Sequence, residues 1–258
     1  MKPGTQTATS TLSKVAEVTL AFWVMKIAAT TVGETGGDMI SMTMQVGYVL
    51  STIILLAIFG VVLTLQLRAK KFHPWLYWLV VLATSTAGTT ISDMLDRTFE
   101  LGYALGSGLI ASCLVAVLIV WKRTTGSLSV DHISGGRDEA FYWAAILVSN
   151  TLGTALGDFL ADSSGLGFLW SNVLISSGLI AIALAFFLTK ISRTALFWAA
   201  FVLTRPFGAT MGDLLTKSPD HGGMGIGTVG SSAVLLAVLA GMIAVTYRAK
   251  ATGSAINN

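Results

Sequence analysis

The sequence predicts an all-α integral membrane protein. Eight transmembrane helices form four parallel two-helix repeats, in two pseudo-symmetric halves, with both termini cytoplasmic. Three observations carry this prediction. Charged residues make up 11% of the 258 and apolar residues 53%, with a mean hydropathy of +0.75, whereas a soluble domain carries about a quarter charged residues. Apolar segments of about 20 residues, the length that spans a bilayer, recur along the chain. One pattern, W-x9-G-x4-D-x8-G, occurs four times in register.

The four copies start at Phe22-Trp23, Tyr77-Trp78, Tyr142-Trp143 and Phe197-Trp198. Ten residues after each Trp comes a glycine (Gly33, Gly88, Gly153, Gly208), and five further on an aspartate (Asp38, Asp93, Asp158, Asp213). A second glycine follows nine residues later (Gly47, Gly102, Gly167, Gly222). Repeats at a fixed period dictate architecture. The apolar segments are expected at 15–35, 40–67, 74–96, 100–121, 139–161, 165–189, 194–216 and 226–247, so each repeat is a hairpin whose first helix carries the motif. Two helices per repeat give all repeats one orientation, and a pseudo-symmetry axis along the membrane normal. The halves are expected at 1–121 and 139–258, joined by a polar cytoplasmic linker over 122–138.

Sidedness follows from the basic residues. Twelve of the 16 fall on one side: Lys2, Lys14, Arg68, Lys70, Lys71, Lys122, Arg123, Arg137, Lys190, Arg193, Arg248 and Lys250. The other side has Arg97 and Lys217, and Lys26 and Arg205 fall within helices. The basic residues are scattered among loops and form no stripe, which excludes a nucleic-acid surface. The single Cys113 excludes an internal disulfide and reads as inert packing. His73, His132 and His221 fall in loops on both sides and cannot form one site.

Positions 7, 11 and 15 after each Trp lie on one helix face. They are Thr30, Glu34 and Asp38; Ser85, Thr89 and Asp93; Asn150, Thr154 and Asp158; and Arg205, Ala209 and Asp213. Lys26 extends the first stripe, and a neighbouring row adds Thr31, Thr86, Thr151 and Thr210. Such stripes are costly against lipid and should converge on an interior or a wet cavity. Glycines ten and 14 residues after Trp let backbones approach beside them. The Trp residues read as interfacial anchors or as wedges between hairpins. The aspartates have a second reading as turn or capping residues.

Glu34 and the four aspartates cannot all stay ionised at close range, so they hold protons or a cation. Oxygen-only donors suit hard cations such as Mn²⁺, Mg²⁺ or Ca²⁺. The expected metal set is Glu34, Asp38, Asp93, Asp158 and Asp213. The expected pathway is Lys26, Thr30, Thr31, Ser85, Thr86, Thr89, Asn150, Thr151, Thr154, Arg205 and Thr210. Pro206 interrupts the fourth stripe, and Arg205 beside it reads as a gate, a tethered cation or a plain ion-pair partner.

The aromatic-Trp starts, the G-x4-D ends and the tandem two-helix units resemble a bacterial membrane-protein family. That family is defined by four copies of a repeat of unknown function, each with two transmembrane segments and a characteristic Trp, here Trp23, Trp78, Trp143 and Trp198. The resemblance runs from about Lys14 to Arg248. It implies a multi-pass protein of the bacterial inner membrane and supplies no activity.

The expected function is therefore a transporter, an exporter of a hard, Mn-like divalent cation that is the substrate rather than a tightly bound cofactor, with proton coupling. The alternatives are a proton-coupled carrier of a small anion or polar solute bound by Arg205 and Lys26, and a membrane sensor or scaffold. No nucleophile–base pair or HExxH motif suggests an enzyme. Expected partners are the lipid bilayer and a small inorganic ion, with a homodimer allowed and no nucleic acid.

Overall fold

The computed structural model describes residues 13–130, 133 and 135–256, with side chains up to residue 248. Lys2, His132 and the Lys250 side chain lie outside the described residues. The described residues form eight α-helices and no strand. In chain order they are α1 (Leu20–Asp38), α2 (Tyr48–Arg68), α3 (Pro74–Asp93), α4 (Tyr103–Thr125), α5 (Gly136–Asp158), α6 (Gly167–Leu188), α7 (Arg193–Thr216) and α8 (Thr228–Ile256). Side chains cap three of the motif helices. Thr19, His73 and Ser192 accept hydrogen bonds from the backbone amides of Phe22, Leu76 and Ala195, satisfying otherwise orphaned donors.

The four motif helices close into a ring. Helix α1 packs on α3, α3 on α5, α5 on α7, and α7 back on α1. The partner helices form an outer layer, each seated on the motif helix of the next repeat: α2 on α3, α4 on α5, α6 on α7, and α8 on α1. Each hairpin is thus opened, its second helix bracing its neighbour.

Burial follows the two layers. From Ala28 to Asp38 every residue of α1 is buried, polar ones included. The outer helices instead expose large apolar side chains, such as Leu50, Ile53, Leu105, Leu109, Leu169 and Val234. A soluble monomer rarely exposes so extended an apolar belt. Five helical segments are long and apolar enough to cross a membrane: Tyr48–Arg68, Tyr103–Thr125, Gly136–Ser163, Gly167–Leu188 and Thr228–Arg248. The chain has the character of a multi-pass membrane protein. Helices α1, α3 and α7 have 19, 20 and 24 residues, but the polar stripe dilutes their apolar content and the ring shields it. Cys113, expected to pack inertly, is instead exposed on α4, because an apolar run on an outer helix presents a face to the surroundings as well as to its neighbours.

Glycines set the contact distance around the ring. A Cβ on Gly33 would lie 3.0 Å from the carbonyl carbon of Ser85, and one on Gly88 would lie 3.0 Å from that of Asn150. A Cβ on Gly153 would likewise stand 3.0 Å from that of Arg205, and one on Gly208 2.9 Å from that of Thr30. In every repeat the glycine ten residues after Trp meets the residue seven after Trp in the next. This is the small-residue packing that lets membrane helices touch at the backbone.

The aromatic pairs follow the same cyclic rule. Phe22 packs on Trp78, Tyr77 on Trp143 and Phe197 on Trp23, with ring centroids 5.7, 5.4 and 5.8 Å apart. Trp78, Trp143 and Trp198 are buried, so of the two readings for these residues the wedge describes their packing. The N-terminal segment, the α4–α5 connector and the end of α8 gather at this aromatic end. Lys14 donates its backbone N–H to Ile133 (2.7 Å) and pairs with buried Glu139, which also accepts from Gln66 (3.0 Å). Trp198 donates to the Leu128 carbonyl (3.0 Å), and Trp78 donates to the Tyr247 hydroxyl (3.4 Å).

At the opposite end α1, α3 and α5 each widen into a five-residue π-helical turn, Met39–Thr43, Met94–Thr98 and Phe159–Ser163, starting directly after the motif aspartate. The fourth repeat lacks it. Pro219 holds Ser218 extended (φ −67°, ψ 156°) and replaces the turn with a short 3₁₀ segment. The second motif glycine explains itself here: Gly47, Gly102, Gly167 and Gly222 have φ of 80°, 71°, 70° and 80°. Gly102 also has ψ 151°, a region essentially reserved for glycine. Gly102→Ala is expected to destabilise the chain by about 1–3 kcal/mol, read as an earlier midpoint in a mixed-micelle denaturant titration.

Candidate functional site

The stripes meet on the axis of the ring, in layers. Nearest the aromatic collar is Lys26, fully buried, its Nζ 3.3 Å from the Asn150 carboxamide oxygen and 4.1 Å from the centroid of the Phe201 ring. Among the described residues no carboxylate lies within salt-bridge distance of it. Asn150 in turn donates to the Thr84 hydroxyl (3.0 Å).

One turn further lies a knot with one member from each repeat. Arg205 donates from Nη1 to Glu34 Oε2 (3.0 Å) and from Nη2 to the hydroxyls of Thr89 (2.6 Å) and Thr154 (2.7 Å). Both threonines lie within donating distance of the same Glu34 oxygen, at 3.2 and 3.1 Å. The carboxylate therefore collects three donors, and the guanidinium spends its Nη groups on these acceptors and on the Ser85 carbonyl (3.4 Å). Arg suits this because its planar fork holds several bonds at once. The knot is fully buried, so a low local dielectric strengthens each bond. Of the three readings of Arg205, the ion pair is the one in place, with Glu34 as partner.

Beyond the knot the four aspartates form the outermost layer, and two cations divide them into pairs. Arg97 lies 3.0 Å from Asp93 and 3.5 Å from Asp158. Lys217 lies 2.9 Å from Asp38 and 3.2 Å from Asp213. Each cation sits four residues after its own aspartate and reaches to the aspartate of the next repeat. Their side chains are 30% and 23% exposed against 2–5% for the aspartates, so the cations are the members that meet solvent.

Glu34, Asp38 and Asp213 each offer a carboxylate oxygen within 4.8 Å of the others. Of the five carboxylates expected to hold a metal, these three are the ones brought together. Asp93 and Asp158 do not join that cluster, because Arg97 holds them on the far side of the ring. The expected pathway divides likewise. Thr30, Ser85, Thr89, Asn150, Thr154, Arg205 and Lys26 occupy the axial layers or their helix contacts. Thr31, Thr86, Thr151 and Thr210 instead donate to carbonyls of their own helices, those of Ile27, Leu82, Leu147 and Pro206, at 2.9–3.1 Å. Thr210 also accepts from Asn172 of α6 (3.0 Å), so this row faces the helix interfaces.

The distribution of basic residues alone puts Arg97 and Lys217 on the side opposite the other twelve, outside the polar stripes. The signal that places them in the site is Asp-x3-Arg/Lys in the second and fourth copies, where the first and third have Met42 and Asp162.

Four consecutive stretches, residues 21–72, 76–127, 141–192 and 196–252, match the family described as a Repeat of Unknown Function (DUF347). No curated protein and no solved structure matches the chain. With nearly its whole length built from four such copies in tandem, the chain belongs to the DUF347 repeat family.

Proposed function

We propose that the chain is a multi-pass carrier of a hard divalent cation of the Mn²⁺ class, held by Glu34, Asp38 and Asp213 at the junction of the first and fourth repeats. All eight helices then cross a bacterial cytoplasmic membrane, with the aromatic end inside. The observation that carries this reading is the convergence of three buried carboxylates within 4.8 Å beside one solvent-reaching amine. Their all-oxygen donor set suits a hard ion.

Lys217 acts as a tethered surrogate. It occupies the carboxylates without cargo, and an arriving ion displaces it toward solvent. Glu34 belongs to both the ion cluster and the Arg205 knot, so loading competes with the bonds that close the axis. The same carboxylates accept protons when the ion leaves, which supplies the coupling for export. An anion carrier draws less support, because the Arg205 Nη groups are already committed to Glu34, Thr89 and Thr154.

The test is thermal stability of the detergent-purified chain with Mn²⁺, Mg²⁺, Ca²⁺, Zn²⁺ or Na⁺. A cation at 100 times its dissociation constant adds about 2.7 kcal/mol of stability. The expected result is stabilisation by a hard divalent ion, abolished in Asp213→Asn and preserved in Asp93→Asn. Lys217→Met is expected to tighten the same ion on the order of tenfold, as removing an internal competitor does. No response to any cation, or equal loss in both Asp variants, would sink the proposal. The first of these leaves the sensor or scaffold reading standing.

A further inference from the structure

The ring is braced unevenly on its outer face. Besides its own seat on α3, α2 also touches α5, and α8 also touches α3, whereas among the described residues neither α4 with α7 nor α6 with α1 makes as extensive a contact. Between α6 and α1 the surface holds a groove of about 720 Å³, floored by α7. Its lining changes character along its length. At the aromatic end it is polar, with Thr19, Ser129, Arg193 and Thr194, whereas Leu20, Trp23, Ile27, Leu179, Ile182 and Ala200 make the rest apolar. Among the described residues no carboxylate lines it. Arg193 is exposed, its guanidinium held over the Phe186 ring at 4.3 Å and donating to the Phe186 carbonyl, and exposed Lys190 stands three residues before it.

We propose that this groove is a binding site for an anionic glycerophospholipid. Arg193, with Lys190 beside it, faces the phosphate. An acyl chain lies along α1 from Leu20 past Trp23 to Ile27, about 10 Å at 1.5 Å per residue. Two features select this occupant. The groove opens on the apolar belt, among exposed side chains such as Leu20 and Phe187, a surface that suits acyl chains rather than water. Its single charged end carries positive charge at the level where α1 and α7 begin, which is where a headgroup sits and where basic residues attract anionic lipid. The inner end of the groove reaches Ile27 and Thr204, and Thr204 accepts a 3.4 Å hydrogen bond from Thr30 across the α1–α7 contact. A lipid there wedges the same junction of first and fourth repeats that holds Glu34, Asp38 and Asp213. The binding itself does not depend on the carrier reading.

The experiment is native mass spectrometry of the full chain in detergent, with phosphatidylglycerol and phosphatidylcholine of matched chains in competition. Inorganic phosphate is added separately. Phosphatidylglycerol is expected to be retained about fivefold over phosphatidylcholine per basic residue engaged. Arg193→Gln is expected to remove most of that preference, and Ala183→Trp, which fills the α6 wall, to lower retention of both lipids. Equal retention of the two lipids by the wild-type chain overturns the proposal. So does a preference unchanged in Arg193→Gln, or lipid retention unchanged in Ala183→Trp. Phosphate alone displacing phosphatidylglycerol without the acyl chain would reduce the site to an anion contact and also overturn it. Should Arg193→Gln fail to fold, the wild-type competition and Ala183→Trp decide between these outcomes.

Discussion

Arg205→Met is expected to lower the stability of the folded chain by about 3–5 kcal/mol, the usual effect of stripping one partner from a buried ion pair. Arg205 is fully buried, and its removal leaves Glu34 Oε2 with only the two threonine hydroxyls as donors. Among the described residues nothing else on the axis can supply the charge. Lys26 contacts Asn150 and Phe201, one layer away, and Lys217 is held by Asp38 and Asp213. The loss should be read from denaturant midpoints in mixed micelles. The decisive comparison is the pair Glu34→Gln with Arg205→Met. If the penalty comes from a stranded charge, the double variant recovers most of the stability, because an amide still accepts from Thr89 and Thr154 without needing a counter-charge. A double variant no more stable than Arg205→Met would show that the penalty comes from the loss of the guanidinium's own bonds and packing, not from a stranded Glu34 charge.

The second large effect is expected at the glycine contacts that set the ring's diameter. A Cβ on Gly88 meets the Thr151 backbone nitrogen at 2.9 Å and the Asn150 carbonyl carbon at 3.0 Å. Backbone atoms cannot rotate away as a side chain would, so α3 and α5 must separate. Gly88→Ala is expected to cost about 1–3 kcal/mol, and Gly88→Val more, since its second branch enters the same contact. The control lies on the outer layer. On α4, a methyl added to Gly108 would meet nothing within 4 Å, so Gly108→Ala should be neutral or stabilising by up to about 1 kcal/mol through helix propensity. Similar effects at the two positions would contradict the account of the ring. Because the layers of the axis are stacked across these contacts, Gly88→Ala is also expected to disturb the Arg97 bridge between Asp93 and Asp158.

Much of this architecture was legible in the chain because it is periodic. Trp at 23, 78, 143 and 198, with Gly ten residues on and Asp 15 on, is enough to name the motif helices, place Glu34 and Asp38 on one helix face, and put Asp213 at the matching position of the fourth copy. The helices begin and end within a few residues of expectation in most places. The clearest differences are at their ends. Helix α2 starts at Tyr48 rather than 40, because the π-helical turn and the irregular stretch over 44–47, where Gln45 has φ 57°, take up residues that are not α-helical. The α4–α5 connector narrows to 126–135, because α4 continues to Thr125 before Gly126 turns left-handed.

What local pattern could not reveal is which repeat touches which, because that depends on the order of helices around an axis. Arg97 and Lys217 illustrate this. Alone, each is an exposed base after an aspartate; its second carboxylate lies 61 residues away for Arg97 and 179 for Lys217. The split of the aspartates into two pairs, and the gathering of Glu34 with Asp38 and Asp213, likewise exist only once the ring is closed. By itself the sequence determined the repeat, the buried polar face and the chemistry available on it, since these are properties of one helix and its period. The tertiary structure decided which charges meet, because hydrogen bonds and ion pairs act over about 3–4 Å, and only helix packing brings residues from four separate repeats within that reach.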